Sequence, residues 1–122
     1  ARIVWAHAGW DATGRLSADL LRRLLKAHEN LYLSLKVNPT GLAEHSPLDE
    51  NGRVRKEWLA LFRDFPDRFV IGTDHFHATP GVDRVRPPGL EGPQALLAAL
   101  PADLARKLGR ENAERFYRLN AK

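Results

Sequence analysis

Two side chains capable of acid–base chemistry close two apolar runs. Phe69-Val70-Ile71-Gly72-Thr73 leads to the carboxylate of Asp74, and Ile3-Val4-Trp5-Ala6 leads to the imidazole of His7. Short apolar runs set in polar sequence are strand signals, so each group is expected at the carboxyl end of a strand. In parallel α/β proteins, ligands bind in the crevice beyond those ends. A carboxylate and an imidazole there would face the same space. Other polar or aromatic groups lie close by in sequence. Trp10 follows His7, His75 and His77 follow Asp74, and Lys36 and Asn38 follow the strand in between. Trp10 is open to substrate contact. Lys36 and Asn38 either touch a carboxylate or hydroxyl of the substrate or simply begin a polar loop.

The elements that must position these groups alternate. A strand over residues 3–6 precedes a Gly-containing turn, 7–14, and a helix over 17–28. Ser17 is a suitable N-cap and Asp19 suits the first turn, while Leu20, Leu21, Leu24 and Leu25 form one apolar stripe. His28 at the helix end is accounted for by the helix dipole. A second strand over 31–35 leads into a long Asn-, Pro- and Gly-rich connection, 36–55, which contains His45. Connections of that length often form lids or substrate loops. Trp58, Leu59, Leu61, Phe62 and Phe65 mark the next helix, with Trp58 in the core, and Pro66 stops it. The third strand spans 69–73, and a loop over 74–93 follows. Closing helices are expected over 93–100, 101–108 and 111–119, with Gly109 as a C-terminal stop between the last two. Trp5 is expected to pack in the wall of the layer, and Arg68 to be a structural ion-pair partner at the end remote from the site.

Strands alternating with helices imply βαβ units and a parallel sheet covered on both faces. The chain has 122 residues, one domain's worth or less. It is 43% hydrophobic and 28% charged, which argues against disorder. No apolar run approaches the roughly 20 residues of a membrane span, and no signal peptide leads it. Without Cys there are no disulfides, thiolate metal sites or cysteine nucleophiles. The absence of Met, an initiator included, suggests a processed chain or a fragment. The net charge of +4 and a pI near 9.9 raise the possibility of nucleic acid. Bases and acids are interleaved, however, as on solvated helix faces, and no zinc-finger or ribonucleoprotein pattern occurs. No Ser-His-Asp order, phosphate loop or dinucleotide fingerprint is present. Three parallel strands leave two unpaired edges. A closed barrel takes eight strands and roughly 250 residues, so the chain is either a small open α/β layer or the end of a barrel.

Four segments in order carry a resemblance: Trp5-Ala6-His7-Ala8-Gly9, Glu29-Asn30-Leu31-Tyr32-Leu33, Pro66 through Asp74, and Asn112-Ala113-Glu114-Arg115-Phe116. Together they resemble the carboxyl-terminal portion of the amidohydrolase-related (amidohydrolase 2) metal-dependent hydrolases, over nearly the whole chain. The resemblance implies a (β/α)8 TIM barrel with the three strands as its sixth, seventh and eighth. It implies that His7 is a catalytic group, a group supporting one, or a ligand to a second metal. It implies that Asp74 is a metal-binding aspartate that also handles protons. Such enzymes hold Zn²⁺ or a similar divalent ion with imidazoles and a carboxylate, leaving a position open for water. Asp74 would take the proton of that water and deliver it to a leaving group. His7 would polarise the substrate carbonyl, or protonate carbon in decarboxylating relatives. The family takes a His-x-His pair and a further His or Glu from earlier strands, which lie outside residues 1–122. The chain is thus expected to be one incomplete barrel domain, inactive alone.

Structural alternatives stand beside these roles. His7 is otherwise a satisfied turn histidine, and Asp74 a turn or helix cap. The Asp74-x-x-His77 spacing, with His75 adjacent, fits a metal or substrate contact, or a loop of solvated imidazoles. The family more often places an aromatic residue after the Asp, so His75 is a departure that bears on the substrate. The enzyme expected is a hydrolase of an amide, ester or lactone of a small carboxylated molecule, with decarboxylation or hydration as close variants. The alternative is a non-catalytic α/β module, one part of a split barrel. The partners expected are a small-molecule substrate, and the remaining barrel segment or a second copy of the chain, with no nucleic acid and no membrane. A soluble, cytoplasmic location is the default. With neighbouring strands about 4.8 Å apart, Asp74 and His7 should lie on the order of 5–10 Å from each other.

Overall fold

The computed structural model describes residues 1–8, 15–37, 46–73 and 90–119. Trp10, Asn38, His45, Asp74, His75 and His77 lie outside these residues. The described chain forms β1 (Ile3–Ala8), α1 (Ala18–Ala27), β2 (Leu31–Leu35), α2 (Lys56–Asp64), β3 (Phe69–Ile71), α3 (Glu91–Ala99), α4 (Ala102–Arg106), a π-helical turn (Lys107–Glu111) and α5 (Asn112–Tyr117). The sheet order is β1-β2-β3 and both pairings are parallel. The parallel α/β layer therefore stands as expected. No helix among the described residues is long and apolar enough to cross a membrane.

Local chemistry explains where the elements start and stop. The Ser17 hydroxyl accepts the Leu20 N–H at 3.1 Å, capping α1, and His28 closes the helix by donating its N–H to Leu24. The α2 helix ends at Asp64, one residue before the Phe65-Pro66 break. Two expectations change. First, α3 begins at Glu91, so Pro93 falls in its first turn, where an absent N–H has no helical partner to lose. Second, Gly109 does not stop a helix. The chain passes through it as a π turn and continues to Tyr117. The glycine serves packing instead, since a Cβ there would come within 3.2 Å of the Leu97 side chain. The π turn also rotates Asn112 into the interior, where it is 1% exposed.

One face of the sheet carries the core. Leu33 and Leu35 of β2, Phe69 of β3 and Ala8 of β1 pack with Leu21 and Leu25 of α1, and with Trp58, Leu61 and Phe62 of α2. The Phe62 and Phe69 rings meet edge to face, with centroids 5.0 Å apart. Leu96, Leu104 and Leu108 extend the same cluster. Leu48 is buried within a short antiparallel turn in the long connection, bridged to Val54. The expectation that the sheet is covered throughout does not hold for β1. Ile3, Val4 and Trp5 are 54%, 38% and 39% exposed, because the described helices pack over β2 and β3. Trp5 is level with the buried Leu33 but half uncovered.

Polar contacts gather at the amino end of the strands. Arg68 departs from the expected ion pair. Among the described residues its guanidinium donates to the Leu31 and His28 carbonyls at 2.7 and 2.5 Å and lies 4.9 Å from the centre of the Tyr32 ring. Phe116 of α5 meets Tyr32 edge to face at 4.3 Å. Asn112 donates to the Pro66 and Phe69 carbonyls. Asp67 accepts from Lys107 at 2.7 Å and pairs with Arg115 at 3.4 Å. Many other helix-face bases have acidic partners, as in Arg22–Asp64, Arg106–Glu111 and Arg110–Glu114.

The Lys107 hydrogen bond holds the Asp67 carboxyl below the usual carboxylate range; burial partly offsets this, and the charges of Lys107 and Arg115 reinforce it. A depressed folded-state pKa stabilises the fold above the unfolded value, about 3.9, and that stabilisation is lost as pH falls through the folded pKa. Asp67→Asn is therefore expected to lower stability near neutrality, with the gap to the parent closing in acid. Urea melts at about pH 7 and about pH 3 measure it; an equal gap at both would contradict the assignment.

Candidate active-site rim

Strand phase decides which side chains share the inner face of the sheet, opposite α1 and α2. Along β2, Leu33 and Leu35 are fully buried in the core, Leu31 packs against it, and Val37 just beyond the strand is buried in it. By alternation Tyr32, Ser34 and Lys36 belong to the opposite face. Paired residues of parallel strands share a face, so the registers Val4↔Tyr32 and Ser34↔Val70 add Val4 and Val70. Val70 is 1% exposed yet outside the helix-side cluster, as this predicts.

The face changes character from one end to the other. At the amino end it is filled by Tyr32, Val70, Phe116 and the Arg68 guanidinium. At the carboxyl end it carries Ser34 and Gly72. A Cβ on Gly72 would run into the Ser34 hydroxyl and lie 3.4 Å from the Leu35 carbonyl oxygen. The glycine is thus required by the close approach of β2, and its N–H bonds the Leu35 carbonyl at 2.7 Å. That bond continues the ladder two residues short of Asp74, although β3 itself ends at Ile71 rather than at the expected Thr73.

His7 occupies an irregularity. Trp5 pairs with Leu33 and Ala8 with Leu35, so Ala6 and His7 together oppose Ser34. This is a bulge, in which two residues stand against one. His7 takes the strain of it with φ at 66°, a left-handed conformation that costs an L-residue roughly 1–2 kcal/mol. Its side chain is exposed. The strand resumes at once, since Lys36 donates its N–H to Ala8 at 2.9 Å. His7 therefore stands level with Ser34 at the carboxyl end of β1, and β2 separates it from β3. Neither Ser34 nor Gly72 stood out in the sequence, where a strand serine and a strand-end glycine carry no signal of mutual contact.

No group of three or more His, Asp, Glu or Cys able to hold a metal occurs among the described residues. His7 and Lys36 are the candidate site residues within them. Asp74, His75, His77 and Trp10 lie outside, so the expected His7–Asp74 separation does too. An imidazole on β1 and a carboxylate one residue beyond Thr73 are nonetheless the donor types that a Zn²⁺-like ion accepts.

Gly72→Ala is expected to destabilise by about 1–3 kcal/mol through this overpacking. Ser34→Ala in the same chain should recover most of that loss, giving a coupled double-mutant cycle in denaturant melts. Additive effects would show that the two residues do not share the space.

A family model described as amidohydrolase matches residues 1–119. No curated protein and no solved structure matches the chain.

Proposed function

The chain belongs to the amidohydrolase family, and from that membership we propose that it supplies the carboxyl-terminal strands of a (β/α)8 barrel. The mouth of that barrel hydrolyses an amide, ester or lactone bond of a small carboxylated molecule. The family is one of hydrolases that are generally metal-dependent. The observation that carries the proposal is the bulge that holds His7 in a strained conformation at the carboxyl end of β1, on the same rim toward which β3 runs. Backbone strain of this kind persists where the surroundings impose it, and it clusters at functional sites. The exposed apolar residues of β1, and the two sheet edges that no strand covers among the described residues, support assembly with further strands.

In this site His7 and Asp74 would hold a divalent metal, together with ligands from the rest of the barrel. Such an ion, when bound, lowers the pKa of its water towards neutrality. The Asp74 carboxylate takes the proton of the attacking water and returns it to the leaving group. The His7 imidazole, when not itself a ligand, donates to the substrate carbonyl oxygen and stabilises the charge that develops there. Residues 1–122 then form one incomplete domain, and activity belongs to the complete barrel.

The test is metal analysis and hydrolysis by the complete protein that carries this chain. A stoichiometric divalent metal is expected. Asp74→Asn should lower kcat by about 10²–10⁴-fold with the circular dichroism unchanged. A complete assembly that binds no metal, and whose activity Asp74→Asn leaves intact, would instead identify a non-catalytic module. Release of CO₂, or addition of water to a double bond, with the same residue dependence would move the reaction to decarboxylation or hydration.

A further inference from the structure

We propose that Lys36 is the anchor for the substrate's carboxylate, its ammonium acting with the Ser34 hydroxyl one level below it on the inner face of the sheet. The proposal rests on the hydrolase reading of the same rim and extends it to one specific recognition group.

Three observations place Lys36 there. Val37 and Leu35, its two neighbours, are both buried in the helix-side core, which commits the Lys36 side chain to the opposite face. Its N–H bonds the carbonyl of Ala8, the residue directly after His7. The backbone of Lys36 is therefore fixed beside the bulge that carries the imidazole. On its other flank, Gly72 is bonded to the Leu35 carbonyl. Lys36 thus stands between the ends of β1 and β3, on the strand that separates them.

The chemistry of the face beneath it points the same way. The inner-face column of β2 runs Tyr32, Ser34, Lys36. Its lower level is filled by Tyr32 with Phe116. Its next level carries the Ser34 hydroxyl, which takes up the space that a Cβ on Gly72 would need. A hydroxyl and an ammonium on successive levels of one strand face suit a small anionic group. The half-buried position of Lys36 strengthens its charge interaction relative to a fully solvated lysine. A carboxylate held there lies on the strand next to His7, which leaves the scissile bond of a short-chain substrate over the rim.

The test compares two esters in the complete, metal-loaded protein: para-nitrophenyl acetate, which is neutral, and mono-para-nitrophenyl succinate, which carries a free carboxylate. Lys36→Gln is expected to lower kcat/KM for the succinate ester by about 10–100-fold, mainly through KM. The acetate ester should change less than about twofold. Lys36→Arg should restore most of the difference. Equal losses with both esters would overturn the proposal, because they would show a structural role. A second measurement keeps the anchor separable from the hydrolase reading. By calorimetry, succinate should bind the parent protein at least about tenfold more tightly than the Lys36→Gln variant, while succinamide should not distinguish them. If neither ester is hydrolysed but succinate binding shows this dependence, the anchor stands and the hydrolase reading falls. If succinate binds both forms equally, or neither, the anchor is wrong whatever the activity.

Discussion

The structure depends on one constraint: β1 and β3 are each registered in parallel on β2, so the chain leaves both at the same end. Backbone bonds fix this directly. Asn30 accepts from Ile3 and Ala8 accepts from Lys36 on one side; Arg68 accepts from Leu33 and Leu35 accepts from Gly72 on the other. A slip of one residue would turn Ser34 and Lys36 into the helix layer and Leu33 and Leu35 out of it. The buried leucines forbid that slip. The same apolar burial that stabilises the layer therefore determines which polar groups line the opposite face.

The two ends of that face are built differently. The amino end is closed by side chains with several bonds each. Arg68 holds the His28 and Leu31 carbonyls, and Asn112 holds those of Pro66 and Phe69. The phase of the β2–β3 ladder sets the Phe69 carbonyl on the open edge of β3, so Asn112 satisfies an edge acceptor there. The carboxyl end instead carries small residues, a strained histidine and a lysine. A bonded amino end and chemical groups at the carboxyl end suit the proposed barrel, since barrel sites lie at the carboxyl face.

Much of the layer was legible in the sequence because its signals are local. The apolar runs gave the strands, Ser17 and the leucine stripe gave α1, and the Phe65-Pro66 pair ended α2. What escaped depends on through-space contacts. The bulge at His7 has no glycine or asparagine to announce it. The need for Gly72 arises from Ser34, 38 residues earlier in the chain by numbering (72 minus 34). Gly109 looked like a helix stop because glycine commonly is one, but Leu97 fills the space above it. Asn112 had a usable signal: it continues the four-residue spacing of Leu104 and Leu108, so a polar residue stood in a buried stripe. Of the candidate site, His7 stands near the carboxyl end of β1 and Lys36 just past β2, while Trp10, Asn38, Asp74, His75 and His77 lie outside the described residues.

The central claim is that His7 and Asp74 converge over one rim. Anomalous diffraction from crystals of the complete protein grown with Zn²⁺ tests it most directly. The account predicts a peak bounded by the Asp74 carboxylate at about 2.0–2.2 Å, with the His7 ring bordering the same cavity. A metal bound elsewhere, or His7 and Asp74 on opposite faces of the sheet, would contradict it.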